Sequence, residues 1–447
     1  MHCRAVAGLA GLVLLAACKR PSGPKAAGRP DSGTVDSGTG EPPTNDTGTD
    51  DSGSPDTGDP TIEGPFQGDL DVLEGPQGTT PGAGLGHRVS AAAGTLWASA
   101  PGASTVHGWP VAPLPTAETP PSVTWQGPAG STFGIGLAAA EDHTLAIGGR
   151  HPDTGDALLW TVAPTAPSAT FIVEDALQVD GPGDGMAALS WDGGWALGLP
   201  QAADRAGEVH LITSTGDGVA VFLGRTGELA GTSLASAGDV NGDGFEDLVI
   251  GGWADSGYRG RATLVLGPMG GERVLDDEDL QYTGEDTWDV RGWSVAGADV
   301  NGDGYSDLAI GAFGTDRPGL SAGEVAIWTG PDAITRVGAL LGPEADARAG
   351  FAVEPLGDLT GDGRHTLAIG GTGVDGSLGA VWIWTGPVEG EIDLATAEAI
   401  ARGKPGWGGL GARIAAVQTA SGPALLFGLP DAWDEAGGLA LSTANTP

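Results

Sequence analysis

The chain has 447 residues, 58 of them acidic and 20 basic, with a formal net charge of −38. That balance excludes the basic surface of a nucleic-acid binder and electrostatic docking on anionic lipid, and it favours bound cations. Glycine is abundant at 81 residues, yet 40% of the chain is hydrophobic, enough to build a core for two or three ordinary domains or one large repeat fold.

The N-terminus reads MHCRAVAGLAGLVLLAACKR. Arg4 precedes an apolar run from Ala5 to Ala17. The run falls short of the about 20 residues of a membrane span and has the form of a secretory signal. Its end, Leu15-Ala16-Ala17-Cys18, resembles the bacterial lipoprotein signal. The resemblance implies removal of residues 1–17, a lipid on Cys18, and an exported protein held at the cell envelope, at the outer membrane. Contact with the membrane would then run through the lipid alone. The other cysteine, Cys3, would leave with the signal, so no disulfide is expected. Residues 18–62 form an acidic tether rich in Pro, Gly, Ser, Thr and Asp, with too little apolar surface to offset the entropy of ordering it. Asp-Ser-Gly or Asp-Thr-Gly recurs there at Asp31, Asp36, Asp46, Asp51 and Asp56. The triplet of aspartic proteases lies between apolar strands, and these lie in a polar repeat.

Residues 63–447 are repetitive. A single strand-like stretch, GDLDVLEGPQ, spans 68–77. Seven units follow, beginning near residues 86, 134, 185, 231, 292, 350 and 409. In the fifth, SVAGA, DLAIGA, EVAIWTG and ITRVGALLG mark four short strands separated by glycine-rich turns. No unit sustains a helical period. Four short strands per unit predict an all-β, seven-bladed propeller of four-stranded blades. Trp328, Trp382 and Trp384 fall on third strands and are expected to pack between blades. The seventh unit stops after its third strand. The stretch at 68–77 is similar to the fourth-strand region VGALLGPE at 337–344. The N-terminal strand is therefore expected to complete the last blade and close the ring.

Units four to six carry acidic loops, DVNGDGFEDL, DVNGDGYSDL and DLTGDGRHTL, at steps of 60 and 59 residues. Counted from Asp239, oxygen donors fall at positions 1, 3, 5, 7 and 9. They are Asp239, Asn241, Asp243, the carbonyl of Phe245, and Asp247. The second loop offers Asp299, Asn301, Asp303, the carbonyl of Tyr305, and Asp307. An oxygen-only set of this size suits Ca²⁺ and not Zn²⁺. The third loop has Asp358, Thr360, Asp362, the carbonyl of Arg364, and Thr366, and its missing carboxylate at position 9 predicts weaker binding. EF-hand and dockerin loops need an acid at position 12, where this chain has Ile250 and Ile310 inside strands. Gly292-Trp293-Ser294-Val295-Ala296, the loop Asp299–Asp307 and Ala309-Ile310-Gly311-Ala312 together resemble the FG-GAP repeats of integrin α-subunit propellers and their bacterial relatives. The resemblance spans about residues 66–447 and is strongest in units four to six. It implies a seven-bladed propeller with Ca²⁺ in the hairpin loops between first and second strands, as a structural ion.

Antiparallel order puts the second-to-third and fourth-to-first connections at the end opposite those loops. Trp253, Tyr258, Arg259, Trp288, Phe313, Arg317 and Trp433 fall in them and form a candidate rim for a protein or glycan partner. Local packing of the same loops is the plain alternative. The resemblance agrees with the rim, since integrins bind ligand on this face. The expected function is thus an envelope-anchored, calcium-binding adhesion or interaction module and not an enzyme. A Ca²⁺-dependent glycan-degrading propeller of the polysaccharide-lyase kind and a scaffold subunit of an envelope complex are the alternatives. Gly319–Gly323, GLSAG, matches the serine-hydrolase pentapeptide, which needs a strand-turn-helix and here falls in a hairpin loop. His87, His143 and His365 are scattered over different units, without metal-ligand spacing.

Overall fold

The computed structural model describes residues 66–443, apart from residues 93, 141–143, 163–168, 173–176, 183–186, 192–193, 279, 332–334 and 433–435. The signal, Cys18, the tether, His143 and Trp433 lie outside the described residues.

Strands form where both faces of a short run are apolar. In blade 5 the strands Ser294–Ala298, Asp307–Ala312, Glu324–Thr329 and Thr335–Leu341 pair antiparallel in chain order. All of Asp307–Ala312 is buried, and the side chains alternate between two cores. Leu308 and Ile310 join Ala326 and Trp328 in the core shared with blade 4. Ala309 joins Val325 and Ile327 in the core shared with blade 6, where Trp382 is buried and Trp384 packs at the edge. Hence these strands read as continuous apolar runs and not as alternating ones. The pattern recurs in seven sheets, and among the described residues an apolar cluster lies between each pair of neighbouring blades.

The first strands stand next to one another around the axis. They are Val89–Ala92, Gly136–Ala139, Ala187–Trp191, Ser233–Gly238, Ser294–Ala298, Ala349–Pro355 and Arg413–Thr419. Each neighbours the first strand on either side, so the ring is closed and the fold is the expected seven-bladed propeller. A glycine makes the crossing into the next blade at Gly231, Gly292, Gly350 and Gly411. Gly292, at φ 81°, would set a Cβ 2.2 Å from the carbonyl oxygen of Arg261, which no larger residue tolerates.

Closure follows the expected route. Val72–Gln77 pairs antiparallel with Gly438–Thr443 and supplies the fourth strand of blade 7. The three residues before it add something the sequence did not disclose. Gly68–Leu70 pairs parallel with Ala399–Arg402, the outer strand of blade 6. The same step occurs elsewhere between third and fourth strands. Ala169–Ile172 of blade 2 pairs parallel with Val123–Gln126 of blade 1. Gly271–Val274 of blade 4 pairs with Gly218–Leu223 of blade 3, and Gly390–Asp393 of blade 6 with Thr335–Leu341 of blade 5. These latch strands make several sheets five-stranded. In blades 3 and 5 only residues 214–217 and 330–334 separate the third strand from the fourth.

Buried charge also spans seams, one of them latched, between blades 3 and 4, and one without a latch, between blades 4 and 5. Arg261, almost wholly buried, donates from Nε to Glu228 Oε1 at 2.9 Å and from Nη1 to Asp276 Oδ1 at 2.7 Å. Glu324, also buried, accepts from Arg291, from Arg317 at 3.0 Å and from Arg336 at 3.1 Å. Such pairs fix geometry more than they add stability, because desolvation offsets most of the attraction.

Candidate functional site

The acidic loops lie side by side on one face, each between the first and second strands of its blade. Asp239 turns onto its own loop. Its Oδ1 accepts from Gly242 N at 2.7 Å and Asp243 N at 3.1 Å, and its Oδ2 from Gly244 N at 2.9 Å. Asn241 Nδ2 donates to Asp243 Oδ2 at 3.0 Å. Asp247 is fully buried at the base of the loop, where Oδ2 accepts from Val240 N at 2.9 Å and Oδ1 from Gly267 N at 2.8 Å. The second loop repeats this arrangement. Asp299 accepts from Gly302 N at 2.7 Å and Gly304 N at 2.9 Å, and Asn301 donates to Asp303 at 2.9 Å. Asp307 accepts from Val300 N and Gly330 N, each at 3.0 Å. The position-9 acid therefore clamps its loop to the end of the third strand.

Burial pushes the Asp247 carboxyl above its usual range, and the charges of Asp243 and Asp239 add to the rise. Burial likewise pushes Asp307 up to about 6, with Asp303 and Asp299 adding to it. Phe245 and Tyr305, at position 7, turn their rings to solvent, 50% and 37% exposed, and their carbonyls accept no hydrogen bond from a described residue. Among the described residues no three His, Cys, Asp or Glu side chains are drawn together as a metal cluster. Each loop's carboxylates are instead held by N–H groups; in the first loop Asp239 Oδ1 accepts two, and the other oxygens of Asp239, Asp243 and Asp247 accept one each and keep a lone pair.

The third loop is neutralised from within. Asp358 accepts from Gly361 N at 2.6 Å and Gly363 N at 2.9 Å, and these bonds hold its carboxyl below the usual range. Asp362 accepts from Thr360 Oγ1 at 2.8 Å and pairs with Arg364 at 3.5 Å. Thr366 is buried, and its hydroxyl has no hydrogen-bond partner. The loops also join laterally. Ser306 N donates to Asp239 O at 3.4 Å, and His365 N donates to Asp299 O at 2.6 Å.

On the opposite face the rim candidates divide. Trp253 and Phe313 are buried, in a cluster with Leu229 and Val290, because loops of adjacent blades fold over them. Tyr258 and Arg259 end a turn in which Ser256, Gly257 and Tyr258 all have positive φ. The same turn recurs at Asp375–Ser377 and Ala203–Arg205, so its backbone strain belongs to the repeat and not to one site. Trp288 stacks on Tyr258 with ring centroids 4.3 Å apart and planes 9° apart, and it is 38% exposed. Contacts continue inward through Trp253, Trp293, Phe313 and Phe351. Arg317 is taken up by Glu324, Glu285 and Glu391. The sequence reading missed Trp293 and Phe351, which open first strands and so read as core. Gly319–Gly323 stands between two strands, as expected, and Ser321 N donates to Asp316 Oδ1 at 2.9 Å.

Beside the axis, Glu354 on the first strand of blade 6 is half-buried, and its Oε1 accepts from Ala416 N at 3.4 Å. Ala416 also lines a cavity of about 250 Å³ walled by Phe66, Ala91, Leu356, Leu359 and Val417. Burial raises Glu354 from 4.5 to about 7. The folded chain thus holds this proton more tightly than the unfolded chain. The contribution to stability is greatest below pH 4.5 and falls as pH rises towards 7. Glu354→Gln is expected to raise the melting temperature at pH 8 and to leave it nearly unchanged at pH 4.5. Thermal scans at both values check this, and an equal gain at both would contradict it.

Comparison with known proteins agrees with this architecture. The FG-GAP repeat family matches residues 230–265 and 291–328, the stretches that carry the first two loops. Integrin alpha-V of Gallus gallus is 34% identical over 36% of this chain and 16% of its own length. Integrin alpha pat-2 of Caenorhabditis elegans is 30% identical over 38% of this chain and 15% of its own. Phosphatidylinositol-glycan-specific phospholipase D of Bos taurus is 34% identical over 23% of this chain and 14% of its own. The matches thus span about a sixth of the curated relatives' length or less. Among solved structures, the Dos1 propeller aligns over 86% of this chain with a TM-score of 0.46 and 13% identity. The chain carries FG-GAP repeats within an integrin α-like β-propeller.

Proposed function

We propose that this propeller is an envelope-anchored, calcium-binding module that takes a protein or glycan partner on the face opposite its acidic loops. The observation that carries the binding face is the Trp288–Tyr258 stack, an aromatic pair with one ring open to solvent at the end of an aromatic series of which Trp253 and Phe313 are buried. Aromatic rings offer large contact area at low entropic cost, to protein or sugar alike. Trp288→Ala is expected to weaken capture on glycan arrays or immobilised envelope proteins while leaving the melting temperature within about 2 °C, since Trp288 lies outside every inter-blade core. Binding that is unchanged in Trp288→Ala and in Tyr258→Ala would rule this face out.

Calcium fits the first two loops on donor chemistry. Asp239, Asn241, Asp243, the Phe245 carbonyl and Asp247 would hold one ion, and Asp299, Asn301, Asp303, the Tyr305 carbonyl and Asp307 another. The ion supplies countercharge to three carboxylates in one short loop. The third loop has an internal substitute in Arg364 and fits less well.

Anchoring through Cys18 rests on the Leu15–Cys18 signal. Cys18→Ser is expected to move the protein from the membrane fraction to the soluble fraction of its host. Unchanged fractionation would remove the anchor from this reading.

A further inference from the structure

Two residues after the glycine of the crossing (Gly231, Gly292, Gly411 and Gly86), a side chain stitches one blade to the next beside the axis in blades 4, 5, 7 and 1. Ser233 Oγ donates to Gly292 O, and Ser294 Oγ to Gly350 O, each at 2.8 Å. One hydroxyl makes each stitch. At the same position blades 7 and 1 use arginine. Arg413 Nε donates to His87 O at 2.9 Å, and Arg88 Nε donates to Ile135 O at 3.2 Å. Arg413 also donates from Nη1 to Ala412 O at 2.7 Å.

A guanidinium carries five N–H donors, so most of Arg88's and several of Arg413's are surplus to the stitch. Neither forms an ion pair with a described residue, although Arg225, Arg261, Arg273, Arg291, Arg317, Arg336 and Arg402 all do. The charge of Asp431 reaches Arg413 and offsets it in part. His87, between the two arginines in the ring, has a buried Nδ1 without a hydrogen-bond partner. All three residues are half-buried. In a chain of net charge −38, two arginines without an ion pair to a described residue come close enough across the closing seam for each other's charge and for His87 to feel it.

We propose that Arg88, Arg413 and His87 form an oxyanion site at the mouth of the axis, where blade 7 meets blade 1. The ligand chemistry is a compact group with several acceptor oxygens, either a free tetrahedral anion or a carboxylate from an acidic partner side chain. Guanidinium groups recognise such acceptors with charge-assisted, paired hydrogen bonds. The electrostatics agree. Burial lowers Arg88 to about 9 with Arg413 adding to the fall, and burial together with both arginines depresses His87, while Asp431 offsets Arg413 only in part.

The test is equilibrium dialysis of the full chain against radiolabelled sulfate at fixed ionic strength. A single saturable site is expected. Arg88→Gln and Arg413→Gln should each weaken it by about ten-fold or more, the worth of one charge-assisted hydrogen bond. Arg259→Gln, an exposed arginine on the same face, should leave it unchanged. Arg413→Lys keeps the charge and a donor and serves if the glutamine variant does not fold. Competition by acetate would support a carboxylate of a partner, and its failure to compete would support a tetrahedral anion. Absence of saturable sulfate binding would overturn the proposal, as would equal loss in Arg259→Gln.

Discussion

EGTA is expected to lower the melting temperature of the full chain by several degrees relative to 10 mM Ca²⁺, and Asp303→Ala to remove about half of that difference. Extracellular calcium sites bind at about 10⁻⁴–10⁻³ M, so 10 mM is about ten to a hundred times the dissociation constant. At a hundred-fold excess one site stabilises the folded state by about 2.7 kcal/mol. Two sites therefore contribute a few kcal/mol, a large share of the about 5–15 kcal/mol that ordinarily separates folded from unfolded states. Asp243→Ala should match Asp303→Ala, because the two loops share the same pattern of N–H bonds. Asp362→Ala should do less, since Thr360 and Arg364 already hold that carboxylate. Identical melting curves in EGTA and Ca²⁺ would sink the calcium assignment and leave the loops as N–H-bonded turns.

The second large effect concerns closure. A chain lacking residues 1–77 is expected to be aggregated or unfolded, whereas one lacking residues 1–62 should melt with the full chain. The longer deletion removes Phe66, Leu70 and Val72, all buried between blades 6 and 7. At about 2 kcal/mol for each buried side chain, that is about 6 kcal/mol, before the lost ladder bonds are counted. It also bares Gly438–Thr443 as an apolar edge strand, a template for pairing with another chain. Sedimentation and thermal scans distinguish the outcomes. A soluble, cooperative product from the longer deletion would show that the last blade closes without its N-terminal strand.

Much of this was legible in the residues. The three acidic loops announce themselves, and the strands of blade 5 fall where SVAGA, DLAIGA, EVAIWTG and the run before LLG place them. The closing strand could be read from the missing fourth strand of the last unit. The latch strands could not, because GERV and GEID are four residues long, largely polar and begin with glycine. Their signal was comparative: both follow a third strand and both run into a leucine that starts a short 3-10 turn. Trp253 and Phe313 read as rim because they sit in loops, and only the folding of neighbouring loops buries them. Arg317 finds two of its three acids 32 residues before it and 74 after, pairings that blade-to-blade register creates. Arg88 and Arg413 meet only because the ring closes.

The latches also divide the ring unevenly. Blade 2 grips blade 1, blade 4 grips blade 3, blade 6 grips blade 5, and the N-terminal strand ties blade 7 to blade 6. No latch crosses between blades 2 and 3, 4 and 5, or 7 and 1 among the described residues. The seven blades are thus two couples and a triplet, joined by three plainer seams. In a fluctuating molecule, the plainer seams are where sub-global opening costs least. The circle therefore divides into three pieces, and the N-terminal strands hold one of them, the triplet, together by completing blade 7 and gripping blade 6.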